Sequence, residues 1–149
     1  MGIRGLFQRI GNTFVGGILR SPFHGLLSKN SMLITFTGRV SGKRYTTPVN
    51  YLLIGDALYV VSMRGRTWWR NLRGGGPVTL RLNGEKVHGW GDVVEDDEGI
   101  NQHLLTYLQE VPSFARYFGV GLDVDGQPNG EDVARASRSR VMVMIRLDE

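Results

Sequence analysis

The chain has 149 residues, a net charge of +4 and 41% hydrophobic residues, which suits one domain with one core. It has no cysteine, which excludes a disulfide frame, a thiolate metal site and a cysteine nucleophile, and fits a reducing compartment. Residues 1 to 91 carry 13 Lys and Arg against only Asp56 and Glu85, a net of +11, whereas the rest carry five Arg against 12 acids, a net of −7; the basic part is either a field for an anionic ligand or simply a solvated surface, and charge alone does not separate the two.

Ile3, Leu6, Phe7, Ile10, Phe14 and Ile18 recur at helical spacing and predict an amphipathic helix, weakened by Gly11, Gly16 and Gly17. Ser21 and Pro22 restart a second helix as cap and first position, running to about Ser28. The first helix packs on the body of the protein, on a second copy in a homodimer, or on a membrane surface; covering a core is the commonest use of such a stripe. Gln8, Arg9 and Asn12 break the apolar stretch that a signal peptide needs. No apolar run approaches the roughly 18 residues of a spanning helix. A cytoplasmic protein, soluble or peripheral to a membrane, is expected.

From Ser31 the pattern changes to strands. They are expected at Met32–Thr37, Thr46–Ile54, Ala57–Met63, Val78–Leu82, Lys86–Val94 and Val141–Leu147. Gly55-Asp56 and Asn83-Gly84 supply hairpin turns. Gly89 and Gly91 suggest a bulge or a close backbone approach. Thr67–Arg73 suits one or two helical turns, ended by Gly74-Gly75-Gly76-Pro77. Asp96-Asp97-Glu98 opens a helix that ends near Glu110. Pro112-Ser113 starts a short one to Phe118, and Glu131–Ala136 is a third, after a loop from Gly119 to Gly130. Short turns between strands exclude a doubly wound parallel sheet. The order fits a six-stranded antiparallel barrel with helices at its side, as a single domain over 1–149: a helical segment over 1–29, then the barrel over 30–149.

Two clusters carry chemistry. The first is Thr37-Gly38-Arg39-Val40-Ser41-Gly42-Lys43-Arg44-Tyr45-Thr46-Thr47-Pro48. It sets glycines, cations and hydroxyls at a strand end, as an anion site needs. It is no P-loop, because three residues, not four, separate Gly38 from Gly42 and a strand follows. A plain polar hairpin explains the same residues equally well. The second is Ser62-Met63-Arg64-Gly65-Arg66-Thr67-Trp68-Trp69-Arg70-Asn71-Leu72. On a helix, adjacent Trp68 and Trp69 point about 100° apart, so either one belongs in the core and the other faces a pocket, or both belong in the core. Arg70 and Arg73 are three apart and share a face.

Other leads are weak. His24, His88 and His103 lack metal-ligand spacing. Gln127 and Pro128 break the calcium-loop pattern of Asp123, Asp125 and Asp132, so no metal is expected. No Gly-x-Ser-x-Gly elbow occurs, and Gly119-Val120-Gly121 follows no strand. The aromatics sit in one short segment, so no nucleic-acid partner is expected, and a basic nucleic-acid-binding barrel is the weakest reading.

Taken together, Thr-Gly-Arg-x-Ser-Gly, Thr-x-Pro, the Gly-Asp hairpin and Trp-Trp-x-Asn-Leu before a Pro-Val strand resemble the deazaflavin-dependent nitroreductase family of split-barrel flavin and deazaflavin oxidoreductases. The resemblance is close over residues 30 to 95. It implies a six-stranded split barrel that binds coenzyme F-420, an 8-hydroxy-5-deazaflavin with a phosphate and a glutamate tail. FMN or FAD is the alternative ligand. It implies hydride transfer to a small-molecule acceptor: a quinone, a nitro compound or an activated alkene. A non-catalytic carrier on the same barrel is the second reading. By position, Gly38, Arg39, Ser41, Gly42, Lys43 and Arg44 match the phosphate loop. Thr46, Thr47 and Pro48 match the segment along the ring. Ser62, Met63 and Arg64 match the strand end beneath it, and Trp68 and Asn71 the short helix that closes the site. Phe114 and Phe118 match the substrate wall. No side chain need act as acid or base; Tyr117 is the one candidate proton donor.

Overall fold

A computed structural model describes residues 31–82 and 84–148. The two N-terminal helices expected before Lys29, with their alternatives of packing, homodimer or membrane contact, lie outside the described residues. Seven strands form one antiparallel sheet: β1 (Ser31–Thr37), β2 (Arg44–Asn50), β3 (Leu52–Ile54), β4 (Ala57–Met63), β5 (Gly76–Leu82), β6 (Glu85–Val94) and β7 (Arg140–Leu147). The helices are α1 (Asp97–Glu110) and α2 (Gly130–Ser137), with 3-10 turns at Trp68–Leu72 and Pro112–Phe118. None of the helices among the described residues is long and apolar enough to cross a membrane.

The strand order is β2-β1-β5-β6-β7-β4-β3. In the chain, however, Tyr51 alone separates the two end strands. A flat seven-stranded sheet would hold its ends about 29 Å apart, at about 4.8 Å per spacing. One residue spans only about 3.5 Å. The sheet therefore curls until its ends meet, and the result is a barrel split along β2.

Tyr51 also corrects the strand count. A single strand is expected over Thr46–Ile54, but the chain breaks at Tyr51 and seven strands result instead of six. The apolar alternation runs straight through that break, so periodicity alone does not mark it. Val49, Tyr51 and Leu53 belong to the barrel interior, whereas Leu52 and Ile54 belong to a second core outside it.

The barrel interior is filled by Ile34, Leu58, Val60, Leu80 and Val143, all fully buried. The second core lies between the outer sheet face and the helices, where Leu104, Leu108, Val133 and Met142 meet. β7 contributes to both layers: Val141, Val143 and Ile145 to the interior, and Met142 and Met144 to the second core. Burial on both faces explains its unbroken apolar sequence.

Local signals hold the helices in place. The Asp96 carboxylate caps α1 by accepting from the Gly99 N–H at 2.8 Å. The Asn129 amide oxygen caps α2 by accepting from the Asp132 N–H at 3.0 Å. Gly89 is the expected close approach: a Cβ there would stand 2.6 Å from the Arg146 carbonyl oxygen.

Candidate functional site

The Gly38–Lys43 turn closes on itself. The Gly38 N–H donates to the Lys43 carbonyl at 2.7 Å, and the Gly42 N–H to the Gly38 carbonyl at 2.9 Å. Gly42 has φ 71°, a left-handed conformation that glycine adopts without strain. The Ser41 hydroxyl accepts from the Lys43 N–H at 3.1 Å and pairs with the Tyr45 hydroxyl at 3.1 Å. These contacts shape the loop without a ligand.

The 3-10 turn Trp68–Leu72 packs beside it, and Asn71 joins the two. Its side-chain oxygen accepts from the Arg39 N–H at 3.0 Å, while its Nδ2 donates to the Trp68 carbonyl at 3.0 Å. The Arg39 guanidinium reaches the Arg70 carbonyl at 3.5 Å. The two clusters seen in sequence are thus one unit.

Both adjacent tryptophans belong to the barrel core, and Trp68 also reaches two clefts. Trp69 is 1% exposed and packs in the barrel core. The Arg70 and Arg73 guanidinium groups lie 5.6 and 5.0 Å from its ring centroid, on the shared face expected for them. Trp68 is 9% exposed and forms part of the wall of two clefts. Its Nε1–H donates to the Ser62 hydroxyl at 3.0 Å, which in turn donates to the Met63 carbonyl at 3.2 Å. Its ring packs 6.0 Å from that of Phe36.

The larger cleft, about 540 Å³, is lined by Gly38, Ser41, Tyr45, Thr46, Thr47 and Asn71, with Phe36, Val40, Thr67 and Trp68. The smaller, about 290 Å³, is lined by Pro48, Val49, Asn50, Val61, Ser62, Met63, Arg66 and Trp68. They share Trp68 and follow successive residues of β2, so they form one groove along the split of the barrel. One end is rich in hydroxyls; the other is walled largely by apolar side chains and holds Arg66. The combined size lies within the usual range for a cofactor site. Phe36, Val49, Asn50, Val61 and Thr67 line it but escape the motif-based reading. Alternation along β1, β2 and β4 was the available signal, since alternate residues share a face.

Other expected residues lie elsewhere. Arg44 lines a third cleft, on the outer side of the sheet. Lys43 lines none of the three and is exposed at the shoulder of the loop. The Arg64 guanidinium donates to the Glu95 carbonyl at 3.1 Å and the Arg140 carbonyl at 3.2 Å, and meets the Asp97 carboxylate at 3.4 Å. It ties the end of β4 to the start of α1. Arg73 holds Glu95 through two bonds of 2.9 Å, which keeps that carboxyl below its ordinary pKa. Phe114 and Phe118 pack against Tyr107 in the second core and line none of the three clefts. Tyr117 is 66% exposed and its hydroxyl accepts from Arg116 at 3.0 Å.

Replacing Asn71 by Ala removes both bonds of the brace, each worth about 0.5–1.5 kcal/mol. Ligand binding in the groove is expected to weaken about tenfold, with faster hydrogen exchange at the Arg39 amide. Asn71→Asp keeps the acceptor for Arg39 and should lose less. Equal affinity in folded Asn71→Ala, measured by titration, would remove the brace from the account.

Solved structures share the fold. A conserved hypothetical protein from Mycobacterium tuberculosis is 18% identical, with a TM-score of 0.57 over 82% of this chain and 75% of its own. A protein from Mycobacterium smegmatis, described as FAD and heme binding, is 12% identical, with a TM-score of 0.51 over 95% and 71%. A putative pyridoxamine 5'-phosphate oxidase from Listeria innocua is 13% identical, with a TM-score of 0.51 over 94% of each chain. No curated protein matches the sequence. The model of one family, described as F420H(2)-dependent quinone reductase, matches residues 15–119, well over half of the chain. On that match, this chain belongs to the F420H(2)-dependent quinone reductase family of split-barrel oxidoreductases, whose cofactor is coenzyme F-420.

Proposed function

We propose that this chain transfers a hydride from reduced coenzyme F-420 to a quinone, and that nitro compounds and activated alkenes serve as further acceptors. The observation that carries this reading is the groove, whose two ends match the two ends of the cofactor. The Ser41, Thr46 and Thr47 hydroxyls at one end, with the side-chain cations of Arg39 and Lys43 on the adjoining loop Gly38–Lys43, suit its phosphate. Thr46, Thr47 and Pro48 on one side, with Ser62, Met63 and Trp68 on the other, suit a flat ring. Arg44, Arg64 and Asn71 act on the frame of the site in this reading.

The bound cofactor supplies the hydride. The chain's own residues orient the ring and exclude water from it. A hydride and one solvent proton together convert a quinone to its hydroquinone, and the deazaflavin is left oxidised. No side-chain acid is required. Phe114, Tyr117 and Phe118 pack away from the groove, so the acceptor is proposed to enter at the Val61–Met63 end. The reading places the enzyme in the cytoplasm.

Fluorescence titrations with F-420, FMN and FAD side by side test the ligand. The expected result is tightest binding of F-420. Tighter binding of FMN or FAD would overturn the choice of cofactor.

A further inference from the structure

Thr35, Thr37, Arg44, Thr79, His88 and Asp148 surround a cleft of about 270 Å³ on the outer face of the sheet, on the side of β1 away from the barrel interior. Strand register explains why they meet. Thr35 pairs with Thr46 on β2 and with Thr79 on β5, and Thr79 pairs with His88 on β6. Thr37 pairs with Arg44. Directly paired residues point to the same face of a sheet, so these side chains stand together. The Asp148 N–H donates to the His88 carbonyl at 2.9 Å and brings the chain end alongside.

The Thr35 hydroxyl is paired with that of Thr46 at 2.7 Å, so the donors that matter here are on Arg44 and His88. The Thr79 hydroxyl pairs with Nδ1 of His88 at 3.2 Å, which fixes the imidazole and directs Nε2 away from Thr79. The Arg44 guanidinium forms no ion pair among the described residues, although it is the strongest cation at the cleft. Such a fork beside an imidazole and hydroxyls matches a tetrahedral or planar oxyanion. The cleft, about 270 Å³, admits a small ion. The Asp148 carboxylate favours an anion that also carries a hydroxyl, since a protonated oxygen can donate to it.

We propose that this cleft is a second, separate site for a small oxyanion bearing a hydroxyl, of which monohydrogen or dihydrogen phosphate is the simplest case. Arg44 and His88 supply the charge and the directed donor. The cleft borders the groove, with which it shares Phe36, and the Thr35–Thr46 hydroxyl pair of 2.7 Å stands between the two.

Inorganic phosphate is the probe, followed by NMR at constant ionic strength in the full chain. Saturable shifts at the His88 ring and the Thr79 amide are expected. They should weaken at least tenfold in Arg44→Gln and in His88→Ala, while His88→Ala keeps its wild-type affinity for F-420. Acetate, which lacks the hydroxyl, should bind more weakly than phosphate. Absence of saturable shifts at His88 in the wild type would overturn the proposal. So would phosphate binding that survives both substitutions, or displacement of phosphate by F-420. The phosphate readout needs no cofactor, so its failure is distinct from failure of the proposed function.

Discussion

Replacing Trp69 by Ala is expected to cost about 3–5 kcal/mol of folding free energy, the usual range for deleting a buried aromatic ring. The side chain is 1% exposed and lies in the barrel core with Leu72 and Val78. Two cation–π contacts, from Arg70 and Arg73, go with it. These are worth about 0.5–1 kcal/mol each at an exposed site. Trp69→Phe should cost much less, for a specific reason. The buried indole N–H of Trp69 has no hydrogen-bond partner among the described residues, so its removal breaks no bond. Denaturant midpoints at unchanged slope would measure both variants. A loss below about 1 kcal/mol in Trp69→Ala would contradict the ring's place in the core.

The neighbouring substitution, Trp68→Ala, should act on binding as well as folding. Trp68 lines both clefts, so truncation removes the surface proposed to meet the cofactor ring. Stacking of an aromatic base on such a side chain is worth about 1–3 kcal/mol, so affinity for F-420 should fall roughly 5- to 150-fold. Trp68→Phe separates the two roles. It keeps an aromatic face but leaves the buried Ser62 hydroxyl without its 3.0 Å donor. That should cost about 1–2 kcal/mol of stability, with most of the affinity retained. Wild-type affinity in folded Trp68→Ala would remove Trp68 from the site.

Much of this architecture was legible because its causes are local. Ala57–Met63 is bounded by a Gly-Asp turn and a glycine-containing basic run, and the strand has those ends. Leu82 pairs with Glu85 across the Asn83-Gly84 signal. Asp96 stands where an N-cap belongs and acts as one. Spacing left Trp68 and Trp69 open between one core residue and two; both are in the core, and Trp68 also borders the clefts. The break at Tyr51 was hidden, since apolar alternation continues through it and only closure of the sheet requires it. By resemblance, Arg64 belongs to the strand end beneath the ring. Its partners are the carbonyls of Glu95 and Arg140, 31 and 76 residues further along the chain. No local pattern contains them. Arg44 shares the loop's sequence and the outer face of β2 with Thr46, yet it lines a different cleft. Asn71 belongs to the motif, yet its amide is spent on the Arg39 N–H and the Trp68 carbonyl.

The central claim is catalytic transfer to a quinone, and one anaerobic measurement addresses it. Reduced F-420 is mixed with a trace of the protein and an excess of menaquinone, and deazaflavin oxidation is followed by absorbance. The account predicts many turnovers per protein, saturable in quinone and strongly reduced in Trp68→Ala. Persistence of the reduced cofactor, in a preparation that binds it by titration, would contradict the account and leave a carrier.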